Sequence, residues 1–92
     1  MSINKVIISG NLTRDPEIRT TASGSQIMSF SVAVNDRRRD PSTGEWGDYP
    51  NYIDCTMFGG TGGGRIDFFQ RTLAKGSKVV VEGRLRWSQW EA

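Results

Sequence analysis

A strict alternation of apolar and polar side chains constrains this chain more than any other feature of its sequence. It runs over residues 26–35, where the even positions carry the apolar side chains Met28, Phe30, Val32 and Val34. A two-residue period predicts a β-strand with one buried face. Because the chain has only 92 residues, it has room for one small domain, residues 1–92, built around this strand.

Three further segments have strand character. Residues 3–9 are rich in β-branched side chains, and residues 51–58 and 78–90 again alternate. In the 51–58 segment, one parity is apolar and predicts the core face, whereas the other parity, which includes Tyr52 and Phe58, predicts a surface that faces a ligand. Between the segments 26–35 and 51–58 lies a polar stretch, residues 36–49. It contains turn signals and predicts a long hairpin loop.

One helix is expected after the third of these strands. Five glycines occur in residues 59–64, and they favour a late helix start, near Arg65, because glycine disfavours helical backbone. Ile66, Phe69 and Leu73 then fall on one helical face, and Gly76 is a natural stop. The order of strand, strand, strand, helix, strand predicts a mostly β fold. It matches the five-stranded Greek-key barrel of the oligonucleotide/oligosaccharide-binding (OB) fold without its last strand, so the domain is expected to be incomplete at its carboxyl end.

The composition narrows the function classes. The net charge is only +2, which excludes a polycation, and histidine is absent, so most metal sites and general-base mechanisms lose their usual residue. We expect no cofactor, no metal and no catalytic residue. The single cysteine, Cys55, is expected in the core and favours a reducing compartment. No apolar run is long enough for a membrane helix, so the sequence predicts a soluble cytoplasmic protein.

Aromatic and arginine side chains alternate along the predicted sheet and its loops. This combination is typical of surfaces on which single-stranded nucleic acid stacks its bases and pairs its phosphates without regard to sequence. The candidate binding residues are Arg37, Arg38, Trp46, Tyr52, Phe58, Arg84, Arg86 and Trp90. Each also has a structural alternative, since the arginine run could be a solvated loop, the two aromatic residues of the third strand could pack on the barrel, and Trp46 could close its loop.

Four segments together resemble bacterial single-stranded DNA-binding proteins. The run from residue 3 to residue 19 is similar to their amino-terminal signature, and residues 51–59, 73–77 and 81–86 match in order and spacing. The resemblance covers essentially the whole chain. It implies an OB-fold protein that coats single-stranded DNA in replication, repair and recombination, in the bacterial cytoplasm in association with the nucleoid.

The same resemblance implies roles for individual residues. Three stacking aromatics of the family fall on Tyr52, Phe58 and Trp90, and a fourth position, often aromatic, falls near Arg38. Family members are usually homotetramers, as dimers of dimers. Their first strand pairs across a dimer interface, which would involve Asn4, Val6 and Ile8. Replication and repair enzymes are recruited through an acidic tail, which the sequence, ending at Ala92, does not contain.

Two other functions are alternatives to single-strand binding. A protein-interaction module of a replication-restart, primosome-type complex could use the same fold, and it would bind oligonucleotides no better than any weakly basic protein. A metal-dependent nuclease is remote, because nothing in the spacing of the carboxylates favours an ion. The aromatic residues and arginines that share one face on the third and fourth predicted strands favour the single-strand binder over both alternatives.

Overall fold

The computed structural model describes residues 1–60 and 64–86. The elements follow in the order β1 (Val6–Leu12), β2 (Glu17–Thr20), β3 (Gln26–Arg39), β4 (Trp46–Gly60), α1 (Gly64–Thr72) and β5 (Lys78–Gly83). All strand pairs are antiparallel. β4 pairs with one edge of β3 along its whole length. β2 and β1 pair with separate parts of the other edge of β3, and β5 pairs with β1. The mostly β fold with one short helix is confirmed.

The core lies against one face of β3, as the alternation predicts. Met28, Phe30 and Val32 are buried, and they form a cluster with Leu12 of β1 and Ile66 of α1. Partly buried side chains of every strand and of the helix pack around this cluster, including Cys55. The buried face of β3 therefore organises the fold, and the core lies on that side of the sheet.

Two glycines allow elements to approach more closely than any side chain would permit. A Cβ at Gly10 would overlap the carbonyl oxygen of Ala33, so β1 can cross β3 only with glycine there. A Cβ at Gly59 would overlap Cδ1 of Ile66, so glycine lets the helix side chain reach the core. A register irregularity between Gln26 and Ile27 falls at the same end of the β3–β4 ladder.

The helix begins where the glycine run predicts and ends earlier than expected. Its apolar stripe is confirmed, because Ile66 is fully buried and both Phe69 and Leu73 pack against the core. The expected helical segment extended to residue 75, whereas α1 ends at Thr72. Hydrogen bonds to the β1 region replace the last helical turn: the Lys75 backbone N–H donates to Oδ1 of Asp15 (2.7 Å), and that of Gly76 to the Leu12 carbonyl (2.8 Å).

The prediction of a long loop over residues 36–49 was wrong. β3 continues to Arg39 and β4 begins at Trp46, so only residues 40–45 form the connection. The remaining residues form a two-stranded arm, residues 35–39 paired with residues 46–50, in unbroken register. Every residue of the arm is exposed, so no apolar alternation marks its strands in the sequence.

Two further strand predictions need correction. The count of four strands was one too low, because Glu17–Thr20 forms the short strand β2 against residues 26–29. Four mostly exposed residues are too few for alternation to be recognised. The last strand was expected over residues 78–90, but β5 ends at Gly83 and residues 84–86 are not in a strand. The rest of that expected strand lies outside the described residues.

Candidate nucleic-acid interface

The β3–β4 ladder places three aromatic side chains on one face. Opposite residues of an antiparallel pair share a face, and the register is unbroken from the pair Ile27–Phe58 to the pair Arg39–Trp46. Trp46, Tyr52 and Phe58 therefore project from the side of the sheet opposite the core, and they are 61%, 67% and 58% exposed. We call this surface the aromatic face. Consecutive members are six residues apart, or about 20 Å along the strand.

Two arginines of the arm join the aromatic face. Arg39 lies directly opposite Trp46, and Arg37 lies opposite Asp48. Both guanidinium groups can contact the phosphates of a strand whose bases lie on the aromatic rings, because arginine forms bidentate hydrogen bonds with phosphate. Sequence reasoning named Arg37 and missed Arg39, although the parity of the arginine run would have paired the two.

Arg38 lies on the opposite side of the arm. Its guanidinium carbon is 4.1 Å from the centroid of the Tyr49 ring, which is a cation–π contact. On the same side, Nδ2 of Asn51 donates to Oδ2 of Asp36 (2.8 Å). The structure therefore separates Arg38 from the aromatic face, where sequence reasoning had grouped it with Arg37.

The aromatic face also extends onto β2. Ile27 pairs with Phe58 on one side and with Arg19 on the other, so Arg19 lies two strands from Phe58 on the same face. Two strand spacings are about 10 Å, which is within reach of an extended arginine side chain beside a stacked base. Sequence reasoning missed Arg19 because it missed β2, and without a strand there was no parity to assign.

The remaining predicted binding residues lie elsewhere or outside the described residues. Arg84 and Arg86 are exposed and follow β5, which pairs with β1 and not with β4. Between them, the backbone of Leu85 is held by the side chain of Asn4, whose Nδ2 donates to the Leu85 carbonyl while its Oδ1 accepts from the Leu85 N–H, both at 2.9 Å. Trp90 lies outside the described residues.

The predicted oligomer residues lie on β1 or just before it, and they differ in burial. Ile8 packs against the core and Val6 is half-buried, whereas Asn4 is exposed and holds Leu85. The apolar side chains on the outer side of the β1–β5 pair are Ile7, 65% exposed, and Val80, 74% exposed. Lys5 and Glu82 flank them with an ion pair of 3.0 Å. The exposed apolar surface near β1 is therefore formed by residues of the parity opposite to that of Val6 and Ile8.

Two groups of the β3–β4 hairpin have shifted pKa values. Burial, and then the negative charge of Asp54, raise the pKa of the Cys55 thiol above its usual 9.0. At the end of the arm, hydrogen bonds from the side chain and the backbone of Ser42 lower the pKa of Asp40 below 3.8. These bonds close the connection between β3 and β4, with Oδ1 of Asp40 2.7 Å from Oγ of Ser42.

Comparison with known proteins decides the family. The model of the single-strand binding protein family matches residues 3–92. The chain belongs to the single-strand binding protein family. Among its relatives is the single-stranded DNA-binding protein of Borreliella burgdorferi, 42% identical over 97% of this chain and 56% of that protein. The Treponema pallidum protein of the same name is 39% identical over 97% of this chain and 47% of its own length. The chain thus spans about half the length of these relatives.

Solved structures of the family share the fold. A structure described as the Plasmodium falciparum SSB complex with ssDNA superposes with a TM-score of 0.83, at 26% identity, over 100% of this chain and 78% of that chain. A deletion mutant of the single-stranded DNA binding protein from Thermus aquaticus superposes with a TM-score of 0.77, at 32% identity, over 98% of this chain and 42% of that chain. The resemblance and the OB-fold class predicted from the sequence are confirmed.

The described part of the chain contains neither a membrane-spanning helix nor a cluster of metal-binding side chains. Residues 1–60 and 64–86 contain no helix long and apolar enough to cross a membrane. Over the same ranges, no group of three or more Cys, Asp or Glu side chains is arranged to hold a metal ion.

Proposed function

We propose that this chain binds single-stranded DNA, without a strict sequence requirement, on the aromatic face. The observation that carries the proposal is the register of β3 and β4, which puts Trp46, Tyr52 and Phe58 on one exposed face. The names of the Borreliella and Treponema relatives and the description of the Plasmodium complex support single-stranded DNA as the ligand.

The binding mechanism follows from the chemistry of the face. Aromatic rings hold bases through their π faces, which every base has, and each stacked base contributes about 1–3 kcal/mol. Arg19, Arg37 and Arg39 lie on the same face and supply cationic partners for the phosphates. Four further residues remain predicted contacts to the DNA. They are Arg84, Arg86, Trp90 and Arg38, of which Arg38 lies on the side of the arm opposite the aromatic face.

The cellular role is part of the same proposal. A protein that covers single-stranded DNA protects it during replication, repair and recombination without catalysing a reaction, and we propose that residues 1–92 act as one such binding domain in the bacterial cytoplasm. The family is named for binding, and the relatives cited above come from bacteria, which supports this role. Partner enzymes of replication and repair remain a prediction from the family resemblance.

We also propose that the chain forms a homo-oligomer, a dimer of dimers. Ile7 and Val80 are exposed apolar neighbours on the outer side of β1 and β5, where a second copy would remove them from water. Asn4, Val6 and Ile8 remain the predicted residues for strand pairing between copies. In sedimentation equilibrium, Ile7→Lys with Val80→Lys should lower the apparent mass, whereas an unchanged mass would contradict the involvement of this surface.

A fluorescence titration tests the binding proposal. The chain has three tryptophans, so a variant with Trp87→Phe and Trp90→Phe leaves Trp46 as the reporter and keeps aromatic rings at the other two positions. We expect oligothymidylate to quench Trp46 and the affinity to fall with salt, with a slope of about −0.7 for each phosphate contacted. Duplex DNA of the same length serves as the control and should bind much more weakly.

The titration also separates this proposal from its alternative. Anisotropy of a labelled oligonucleotide measures binding independently of Trp46. If the oligonucleotide binds without quenching, the arm end of the aromatic face is not the site. If it binds no better than to an unrelated weakly basic protein, the protein-interaction module of a replication-restart complex becomes the better hypothesis.

A further inference from the structure

A carboxylate lies within the aromatic face. Asp54 is on β4 between Tyr52 and Phe58, has the same parity as both, and is exposed. Its Cα lies about 7 Å along the strand from that of Tyr52. A base stacked on the Tyr52 ring would therefore have an edge close to the Asp54 carboxylate.

The carboxylate is available to a ligand. Within residues 1–60 and 64–86, the one ion pair joins Lys5 and Glu82, and no hydrogen bond of the Asp54 side chain is present. The residue opposite on β3 is Ser31, which is 5% exposed and rises less above the sheet than the rings of β4. The charge of Asp54 is felt locally, because it helps to raise the pKa of the neighbouring thiol of Cys55.

An ionised carboxylate restricts what can lie beside it. It repels phosphates, so we expect the sugar–phosphate backbone to pass on the side of β2 and β3, where the arginines lie. The edges of the bases would then face Asp54. Carboxylate oxygens only accept hydrogen bonds. The Watson–Crick edge of guanine offers two adjacent donors, N1–H and the N2 amino group. That of thymine offers one donor between two carbonyl oxygens, which a carboxylate disfavours.

We propose that Asp54 gives the aromatic face a base preference, favouring guanine over thymine at the position between Tyr52 and Phe58. The preference rests on the proposed single-strand binding and adds a hydrogen-bonding element to a surface otherwise built for stacking. A bidentate contact between a side chain and a base discriminates by about 5- to 150-fold.

Three oligonucleotides test the preference with the unaltered protein. The first is oligothymidylate, the second carries guanine at isolated positions that cannot form quadruplexes, and the third carries hypoxanthine at those positions. Hypoxanthine stacks as a purine but lacks the N2 amino group, so it separates hydrogen bonding from stacking. We expect the guanine oligonucleotide to bind at least about 5-fold more tightly than oligothymidylate, with the hypoxanthine oligonucleotide between them.

Two matched variants assign the effect to one carboxylate. Asp54→Asn keeps the shape and removes the charge, and we expect it to lose most of the preference for guanine over hypoxanthine while binding oligothymidylate more tightly. Asp48→Asn removes a carboxylate of the same parity on the arm and should keep the preference. Because both residues are exposed, neither variant is expected to unfold the protein.

The outcomes distinguish the two levels of the proposal. If the unaltered protein binds all three oligonucleotides equally, or if Asp54→Asn keeps the full preference for guanine over hypoxanthine, the inference about Asp54 is overturned and single-strand binding stands. If the unaltered protein binds none of the three, the proposed function fails and the inference fails with it.

Discussion

At the scale of single residues, glycine decides how closely strands can cross. Gly10 lies where β1 passes over β3, and the position its Cβ would occupy is already taken by the backbone of Ala33. A backbone oxygen cannot move aside as the end of a flexible side chain can. The close crossing of β1 and β3 therefore depends on this residue.

Gly10→Ala should destabilise the fold. Overpacking of this kind costs about 1–3 kcal/mol, and we expect a loss in the upper part of that range in the free energy of unfolding measured with urea. Gly47→Ala is the matched control, because nothing lies within 4 Å of the Cβ it would add. Equal stability of Gly10→Ala and the unaltered protein would show that β1 and β3 do not cross so closely.

The thiol of Cys55 reports on burial and on Asp54 in a pH profile. Because its pKa in the folded protein lies above 9.0, the thiolate, which is the reactive form, is scarce at neutral pH. The rate of alkylation by iodoacetamide should have its midpoint above pH 9.0, and Asp54→Asn should lower that midpoint without removing the effect of burial. A midpoint unaffected by Asp54→Asn would contradict the placement of the two side chains.

The raised pKa of Cys55 also makes the free energy of unfolding depend on pH. A raised pKa in the folded state means that folding favours the protonated thiol. This contribution is fully present below the pKa of the unfolded chain and is lost as the pH rises through the higher pKa of the folded state. Alkaline unfolding should therefore begin at lower pH for the unaltered protein than for Cys55→Ala, if the two are matched in stability at pH 7.

At the scale of elements, the arm is the part that sequence patterns describe least well. Its strands have no apolar alternation. On the side opposite the aromatic face, Arg38 contacts the Tyr49 ring and Asn51 donates a hydrogen bond to Asp36. Hydrogen bonds around Asp40 close its end: Oδ1 accepts from the backbone N–H of Ser42 (2.9 Å), and the Asp40 N–H donates to the Glu45 carbonyl (2.8 Å). The arm presents Trp46, Arg37 and Arg39, so its order matters for binding.

Protonation of Asp40 should loosen the arm. The pKa of this carboxyl is lowered in the folded state, so its contribution is present above the unfolded value, near 3.8, and is lost as the pH falls through the lower folded value. We expect Asp40→Ala to speed hydrogen exchange of the amides of residues 35–39 and 46–50, with little change in those of β1. Equal exchange in the arm would contradict this role for Asp40.

The arm also shows where prediction from sequence stops. Strand β3 was predictable because Met28, Phe30 and Val32 alternate toward a core, and the late helix start was predictable because glycine disfavours helix. The arm and β2 have exposed residues on both sides, so pairing with β3 determines their structure and local pattern does not. Tyr52 and Phe58 were placed correctly on an exposed face by parity, whereas Arg19 and the separation of Arg38 from Arg37 required the register.

At the scale of the whole molecule, the fold divides its surfaces by function. One side of β3 and β4 packs on the core through Met28, Phe30 and Val32. The opposite side carries the three exposed aromatic residues and two arginines, with Arg19 of β2 beside them. The outer side of β1 and β5 carries Ile7 and Val80. Ligand binding and self-association are thus assigned to different strands, so variants of one surface should leave the other intact.

The most direct test of this account compares the affinities of Tyr52→Ala and Phe68→Ala for the same oligothymidylate. Both side chains are exposed aromatics, 67% and 54% respectively, but Phe68 lies on α1, away from the aromatic face. Base stacking on the aromatic face predicts a loss of about 1–3 kcal/mol in binding free energy for Tyr52→Ala and no change for Phe68→Ala. Equal affinities of the two variants would contradict it.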